Sequence, residues 1–243
     1  MKPKVCLDVQ ELEKTYGGRK VVSGLSFQVL QGEIVGLLGP NGAGKTTSFY
    51  MTIGLICPDK GKVIFNGVDV SKMPMHKRAQ MGMGYLAQEP SVFRDLTVEE
   101  NLLCILESLK LTKDERKQRL GMHLEELNLT HLAKKKAAAL SGGERRRLEI
   151  TRALITSPTF LLLDEPFANI DPISVQEVKH LIKLLSKKNI SVLITDHNAR
   201  EIFSVVDRSY LVFEGKVIRS GTVDALINDK EVRRTYLGED FRM

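Results

Sequence analysis

A chain of 243 residues with 42% hydrophobic side chains can bury the core of one large domain or two small ones, which excludes global disorder. Its unbroken apolar runs, such as residues 160–163, fall far short of the roughly 20 residues a membrane-spanning helix needs. The net charge of +6 and a pI near 9.2 suit an anionic partner, but the basic runs Lys134-Lys135-Lys136 and Arg145-Arg146-Arg147 carry no interleaved aromatic rings for base stacking, so no nucleic-acid partner is expected.

The N-terminus is basic, yet Asp8, Glu11 and Glu13 occupy the stretch where a signal peptide would carry its apolar centre, so the chain is expected to stay in the cytosol. Cys6, Cys57 and Cys104 have neither disulfide-framework nor zinc-ligand spacing.

Taken in chain order, the first clear strand is 34–38, and the loop after it reads Gly39-Pro40-Asn41-Gly42-Ala43-Gly44-Lys45-Thr46. This is the Gly-x4-Gly-Lys-Ser/Thr phosphate loop, placed between a strand and a helix expected over 47–54. Its glycines let the backbone turn N–H groups toward phosphate oxygens, and the helix N-terminus adds positive potential. Lys45 reaches the β- and γ-phosphates, and the Thr46 hydroxyl is a ligand for Mg²⁺. A strand at 63–65 follows.

Between about residues 88 and 158 no strand pattern occurs. Thr97-x-x-Glu100, Thr112-x-x-Glu115 and Ser141-x-x-Glu144 each read as a capping box opening a helix, which predicts a helical insertion in an α/β protein. Apolar strands then recur at 160–163, 191–195 and 209–213, continuous enough to be buried on both faces. Glu214-Gly215 turns the last of them into a short strand at 216–218. The pattern predicts an α/β fold, a mixed sheet with helices on both faces.

The strand at 160–163 ends in Asp164-Glu165, on the edge where a parallel sheet delivers the phosphate loop. Asp164 suits Mg²⁺, and Glu165 suits a general base that polarises an attacking water. In Leu140-Ser141-Gly142-Gly143-Glu144, Ser141 caps a helix whose first N–H groups the two glycines leave open to an anion.

Together with the phosphate loop, Gln88, Asp164-Glu165 and His197, this Leu-Ser-Gly-Gly-Glu string resembles the signature set of the ATP-binding cassette family, in the family's order and across essentially the whole chain. The resemblance implies a P-loop ATPase core over 1–87 and 159–222, an all-α signature subdomain over 88–158 and a C-terminal helix and tail over 223–243. It implies ATP and Mg²⁺ as cofactors and a second copy of the chain, with Ser141, Gly142 and Gly143 gripping the nucleotide held by the other copy's Lys45. Tyr16 resembles the aromatic that stacks on adenine and Thr47 the α-phosphate contact. Gln88 resembles the glutamine that meets Mg²⁺ and the attacking water, His197 the γ-phosphate switch histidine, and Asp171 a residue of the dimer-interface loop. Asn169 in that loop is bulkier than the small residue the family pattern leads one to expect.

The family works beneath two membrane-spanning permease subunits, which implies a peripheral position on the cytoplasmic face of the inner membrane. Phe93 and Arg94, an aromatic beside an arginine, are candidates for the socket those subunits engage. The phosphate-loop region, the signature run, Leu163-Asp-Glu-Pro-Phe-Ala168 and the tail Tyr236-Leu-Gly-Glu-Asp-Phe-Arg242 resemble the branch of the family that drives lipopolysaccharide export. The tail weighs most, because it lies outside every residue that ATP chemistry needs. A branched-chain amino-acid type importer subunit and a soluble non-transport cassette ATPase are the alternatives. A GTPase or small-molecule kinase would leave the signature unexplained, and no guanine-specific Asn/Thr-Lys-x-Asp motif is present.

Overall fold

The computed structural model describes residues 4–243; the first three residues of the N-terminal stretch read for a signal peptide lie outside it. The chain opens with a long hairpin, β1 (Val5–Tyr16) and β2 (Arg19–Leu30). Its turn is Gly17-Gly18, both at positive φ, a conformation that glycine adopts without a side-chain clash. The element order continues β3 (Ile34–Leu38), α1 (Lys45–Ile53), β4 (Lys60–Phe65), β5 (Val68–Asp69), α2 (Met75–Gln80) and β6 (Met83–Leu86). Then come α3 (Val98–Ser108), α4 (Lys113–Glu126), α5 (Gly142–Leu154), β7 (Phe160–Asp164), α6 (Pro172–Lys187), β8 (Ser191–Thr195) and α7 (Ala199–Phe203). The chain closes with β9 (Arg208–Phe213), β10 (Lys216–Thr222), α8 (Val223–Asn228), α9 (Lys230–Val232) and a π-helical turn over Arg233–Leu237.

Six strands form the central sheet in the order β10-β9-β3-β8-β7-β6. All neighbours pair in parallel except β10, which pairs antiparallel with β9 at the edge, so the sheet is mixed as the patterning predicts. Along β7, Phe160 and Leu162 join one apolar cluster while Leu161 and Leu163 join another on the opposite face. Burial on both faces explains why this strand is apolar at successive positions. Helices α6 and α7 cover one face.

The other face is covered by α1 together with a second, antiparallel sheet of order β2-β1-β4-β5, which strand periodicity alone does not reveal. In β1 the buried positions Leu7 and Val9 are followed by Leu12, a step of three. Register shifts occur there, and Glu11 sits at φ 48. A bulge of this kind inserts a residue and breaks the two-residue alternation by which a half-buried strand is recognised.

All three capping boxes form, with both reciprocal hydrogen bonds, at the starts of α3, α4 and α5. These helices enclose a third apolar cluster that includes Val98, Leu102, Leu106, Leu124 and Leu148. Helix α5 straddles two clusters, since its Ile150 and Leu154 belong to the cluster beneath the central sheet.

The C-terminal end of α1 is held by a charge. Arg78, on α2, is fully buried; its Nη1 donates to the carbonyls of Met51 (2.8 Å) and Thr52 (2.6 Å), its Nε to Met73 (2.8 Å) and its Nη2 to Ser71 (3.1 Å). Two of these carbonyls belong to the last turn of α1, where the helix dipole is negative. Burial pulls the guanidinium pKa down to about 10, so it remains charged at neutral pH. Gly54 must lack a side chain here, because a Cβ would lie 2.6 Å from Arg78 Nε. Arg78→Met keeps the volume but strands the carbonyls, and it should lower folding stability by about 3 kcal/mol. A urea midpoint equal to that of the parent chain would contradict this account.

Candidate nucleotide site

Strands β3, β8, β7 and β6 run parallel and lie side by side, so their C-terminal ends share one edge. The pairing brings Leu37 level with Thr195, Thr195 level with Asp164, and Leu163 level with Leu86. From this edge emerge the phosphate loop, Asp164-Glu165, the Asp196-His197 segment and the stretch leading to Gln88.

The loop is shaped by Gly39, Gly42 and Gly44, at φ 148, 78 and 99. At Gly44 a Cβ would stand 2.7 Å from the Val21 carbonyl of β2, so the small sheet presses on the loop from outside. Lys45 is buried, and its Nζ donates to the carbonyls of Gly39 (2.6 Å) and Pro40 (3.0 Å). Burial pushes the ammonium pKa down, partly offset by the carboxylates of Glu165, Asp196 and Asp164. Thr46 is exposed and Thr47 half-buried. Asn41 through Thr47 line a cleft of about 140 Å³ together with Val21, Glu165 and Thr195. A larger cleft of about 570 Å³ lies beside it, lined by Arg19, Lys20, Val21, Pro40 through Ala43, Phe213 and Glu214. Arg19 and Lys20 directly follow the turn after Tyr16, so this surface is basic.

Asp164 is buried and its Oδ1 accepts from Thr195 Oγ1 at 2.6 Å. Burial raises its pKa, with the neighbouring Glu165 adding in the same direction; a bound cation would relieve both effects. Glu165 has a left-handed backbone, φ 44, which costs a residue with a side chain about 1–3 kcal/mol and recurs at functional positions. Its Oε2 accepts from Gln88 Nε2 at 2.8 Å and lies 3.4 Å from His197 Nδ1. Residues drawn from three different strand ends thus meet at one carboxylate oxygen.

The signature is elsewhere. Ser141 and Gly142 are exposed at the start of α5 and do not line the Lys45 cleft. Gly142 lies beside Asn169 and Ile170, and Gly143 is packed so closely on Ser174 that a Cβ would meet its Oγ at 2.0 Å. Asp171 caps α6, its Oδ1 accepting from the N–H groups of Ile173 (3.1 Å) and Ser174 (3.0 Å) and its Oδ2 from Ser174 Oγ (2.6 Å). The structure therefore brings the signature and the Asp171 loop together, apart from the phosphate loop of the same chain. Asn169 adopts φ 59, a conformation asparagine tolerates better than most residues with a side chain, so its size is matched by a backbone requirement.

Tyr16 is 45% exposed at the end of β1, with Lys14 Nζ 5.6 Å from its ring centre, and it does not line either cleft. Phe93 is 50% exposed, but the arginine stacked on it is Arg152, with Cζ 4.9 Å from the ring centre. Arg94 is exposed.

Two features went unseen in the sequence. Arg146, which looks like part of a solvated basic run, is buried and bonds to the carbonyls of Ala87 (2.9 Å), Asp164 (3.2 Å), Glu165 (3.4 Å) and Pro166 (3.3 Å). The signal available was its position: it lies three residues before Glu149 on α5, and that pair reads as inward only if the face is buried. In the tail, the Tyr236 hydroxyl donates to the His197 carbonyl at 3.3 Å, and burial pushes its pKa up to about 12. Phe241 packs edge-on against Phe203 and under Arg200.

Among the described residues no helix is long and apolar enough to cross a membrane. Residues 22–168 match the family described as ABC transporter. The chain is 53% identical over 98% of its length to the lipopolysaccharide export system ATP-binding protein LptB of Haemophilus influenzae, covering 99% of that protein. It is 49% identical over the same share to the protein of that name from Escherichia coli K12, again covering 99% of it. Among solved structures it superimposes with a TM-score of 0.87, at 29% identity, on a nucleotide-free ATP-binding cassette from an ABC transporter, with 97% of this chain and 100% of that one covered. With the family matched over more than half the chain and with close relatives along nearly all of it, the protein belongs to the ABC transporter family as an ATP-binding cassette.

Proposed function

We infer that this cassette is the ATP-hydrolysing subunit of a lipopolysaccharide exporter, working as two copies beneath two membrane-spanning permease subunits on the cytoplasmic face of the inner membrane. The observation that carries the catalytic part is the meeting of Gln88, Glu165 and His197 at one carboxylate oxygen beside the phosphate loop. The export assignment rests on identity of 49–53% to lipopolysaccharide export subunits, sustained over nearly the full chain.

In this reading the N–H groups of Asn41 through Thr47 and the Lys45 ammonium hold the phosphates, with Gly39 and Pro40 shaping the entry to the loop and Lys45 exchanging their carbonyls for phosphate oxygens. Tyr16, exposed at the end of β1, stacks on adenine. Magnesium fits the donor set here, a hydroxyl from Thr46, a carboxylate from Asp164 and an amide from Gln88, which leaves half of a small octahedral shell to phosphate and water. It would neutralise charge building on the phosphates.

Glu165 takes the proton from the attacking water as that water closes on the terminal phosphate. Gln88 and His197 fix the direction of its side chain, and His197, 60% exposed, can swing toward the phosphate. The signature at Ser141, Gly142 and Gly143 does not line its own chain's Lys45 cleft, which supports a head-to-tail pair in which it grips the partner's nucleotide, with Asp171 lining the interface. Residues 88–158 act as the unit that receives force, 1–87 and 159–222 as the unit that binds ATP, and 223–243 as a brace behind His197.

Glu165→Gln should bind ATP normally, hydrolyse it at least a hundredfold more slowly and run as an ATP-dependent dimer in gel filtration; near-normal turnover would remove Glu165 from its role. Ser141→Arg should abolish that ATP-dependent dimer while leaving binding of ATP to the monomer intact, and an unchanged dimer would defeat the head-to-tail arrangement. At the permease surface, Phe93→Ala should leave soluble ATPase activity within about twofold and reduce co-purification of the membrane subunits about tenfold. Undiminished co-purification would place the socket elsewhere.

A further inference from the structure

Helix α5 carries Arg146, Glu149 and Arg152 at intervals of three, a spacing that sets all three on one face. That face grips the segment 87–93 at several points. Arg146 Nη1 donates to the Ala87 carbonyl, Glu149 Oε1 accepts from the Ser91 N–H at 3.0 Å, Arg152 donates to the Ser91 carbonyl, and its guanidinium stacks on the Phe93 ring. From the other side, buried Asn101 of α3 both accepts from the Phe93 N–H (2.8 Å) and donates to the Phe93 carbonyl (2.9 Å). The stretch that ends at the permease surface is thus fastened to the helical part.

The same helix face reaches the catalytic strand end. Arg146 spends its remaining donors on the carbonyls of Asp164, Glu165 and Pro166. The group common to both connections is the Glu149 carboxylate, buried at 4% exposure: Oε1 holds Ser91, and Oε2 holds Arg146 Nη1 at 2.9 Å. An arginine at this depth keeps its fork aimed at several carbonyls only while an acceptor fixes the plane of the guanidinium.

We propose that Glu149 is a positioning residue for hydrolysis: its carboxylate ties the permease-facing segment at Ser91 to the backbone that orients Glu165, so that displacement of one resets the other. The proposal rests on the site reading above, in which Glu165 is the base. Glu149 touches neither nucleotide-binding loop nor cleft, so its loss should act on the chemical step and not on ATP binding.

The test is steady-state kinetics on the purified full-length chain, with Glu165→Gln measured alongside. Glu149→Ala should lower kcat roughly tenfold or more while KM for ATP stays within about twofold, since a displacement of about 1 Å at the reacting centre has effects of this size. Glu149→Gln keeps the volume but offers one acceptor where two are used, so its kcat should fall between those of Glu149→Ala and the parent at the same KM. Parent-like kcat in Glu149→Gln and Glu149→Ala, or a KM that rises in step with the loss of kcat, overturns the proposal. If Glu149→Ala does not fold, Glu149→Gln alone decides: reduced kcat at constant KM supports the link, and unchanged kcat removes it. Full turnover in Glu165→Gln would instead bring down the underlying site reading.

Discussion

The hydrogen-bond ladder joining β3, β8, β7 and β6 sets everything that happens at the site. Because Leu37, Thr195 and Asp164 stand level across it, the phosphate loop, the acidic pair and the histidine segment leave the sheet at one height. Side chains alternate faces along a strand, so a slip of one residue would exchange Phe160 and Leu162 with Leu161 and Leu163 between the two apolar clusters. It would also turn Asp164 and Glu165 to each other's sides. The packing that stabilises the sheet therefore enforces the geometry of the candidate site as well, and neither can drift alone.

What could be read from the sequence follows from how local each feature is. The phosphate loop, the acidic pair and the three capping boxes are dictated by groups within a few residues of one another, and their residue types leave little choice of conformation. The buried strands β3, β7, β8 and β9 announce themselves by unbroken apolar runs. Strands β1 and β2 do not, because the bulge at Glu11 spoils their alternation. Arg146 and Glu149 were hidden for a different reason: whether a charge points inward depends on carbonyls contributed from residue 87 and from residues 164–166, and nothing inside the run Arg145-Arg146-Arg147 distinguishes its middle member.

The tail shows a third kind of legibility. Its sequence marks kinship without stating a purpose, and the structure supplies one part of it. Tyr236 bonds to the carbonyl of His197 while Phe241 packs on Phe203 of the helix that follows, so the histidine segment is braced from behind. In the proposed mechanism His197 moves between Glu165 and a phosphate, and a fixed backbone would confine that rearrangement to its side chain.

Both buried arginines solve the same problem. Arg78 and Arg146 each face carbonyl oxygens that belong to loops or helix ends, groups left without a regular partner where secondary structure stops. A guanidinium presents five donors in one plane and stays charged, so a single side chain can satisfy four carbonyls from separate segments; a lysine ammonium, with three donors on one atom, could not span them. The cost of desolvating each charge is offset by hydrogen bonds to several dipoles at once. Arg78 thereby secures the far end of the helix that begins at Lys45, and Arg146 secures the backbone from which Glu165 projects. The Lys45 helix and the Glu165 backbone, which the proposed mechanism makes the phosphate-binding and water-activating halves of the site, are each anchored by a buried cation, while Gln88 and His197 stay exposed beside Glu165.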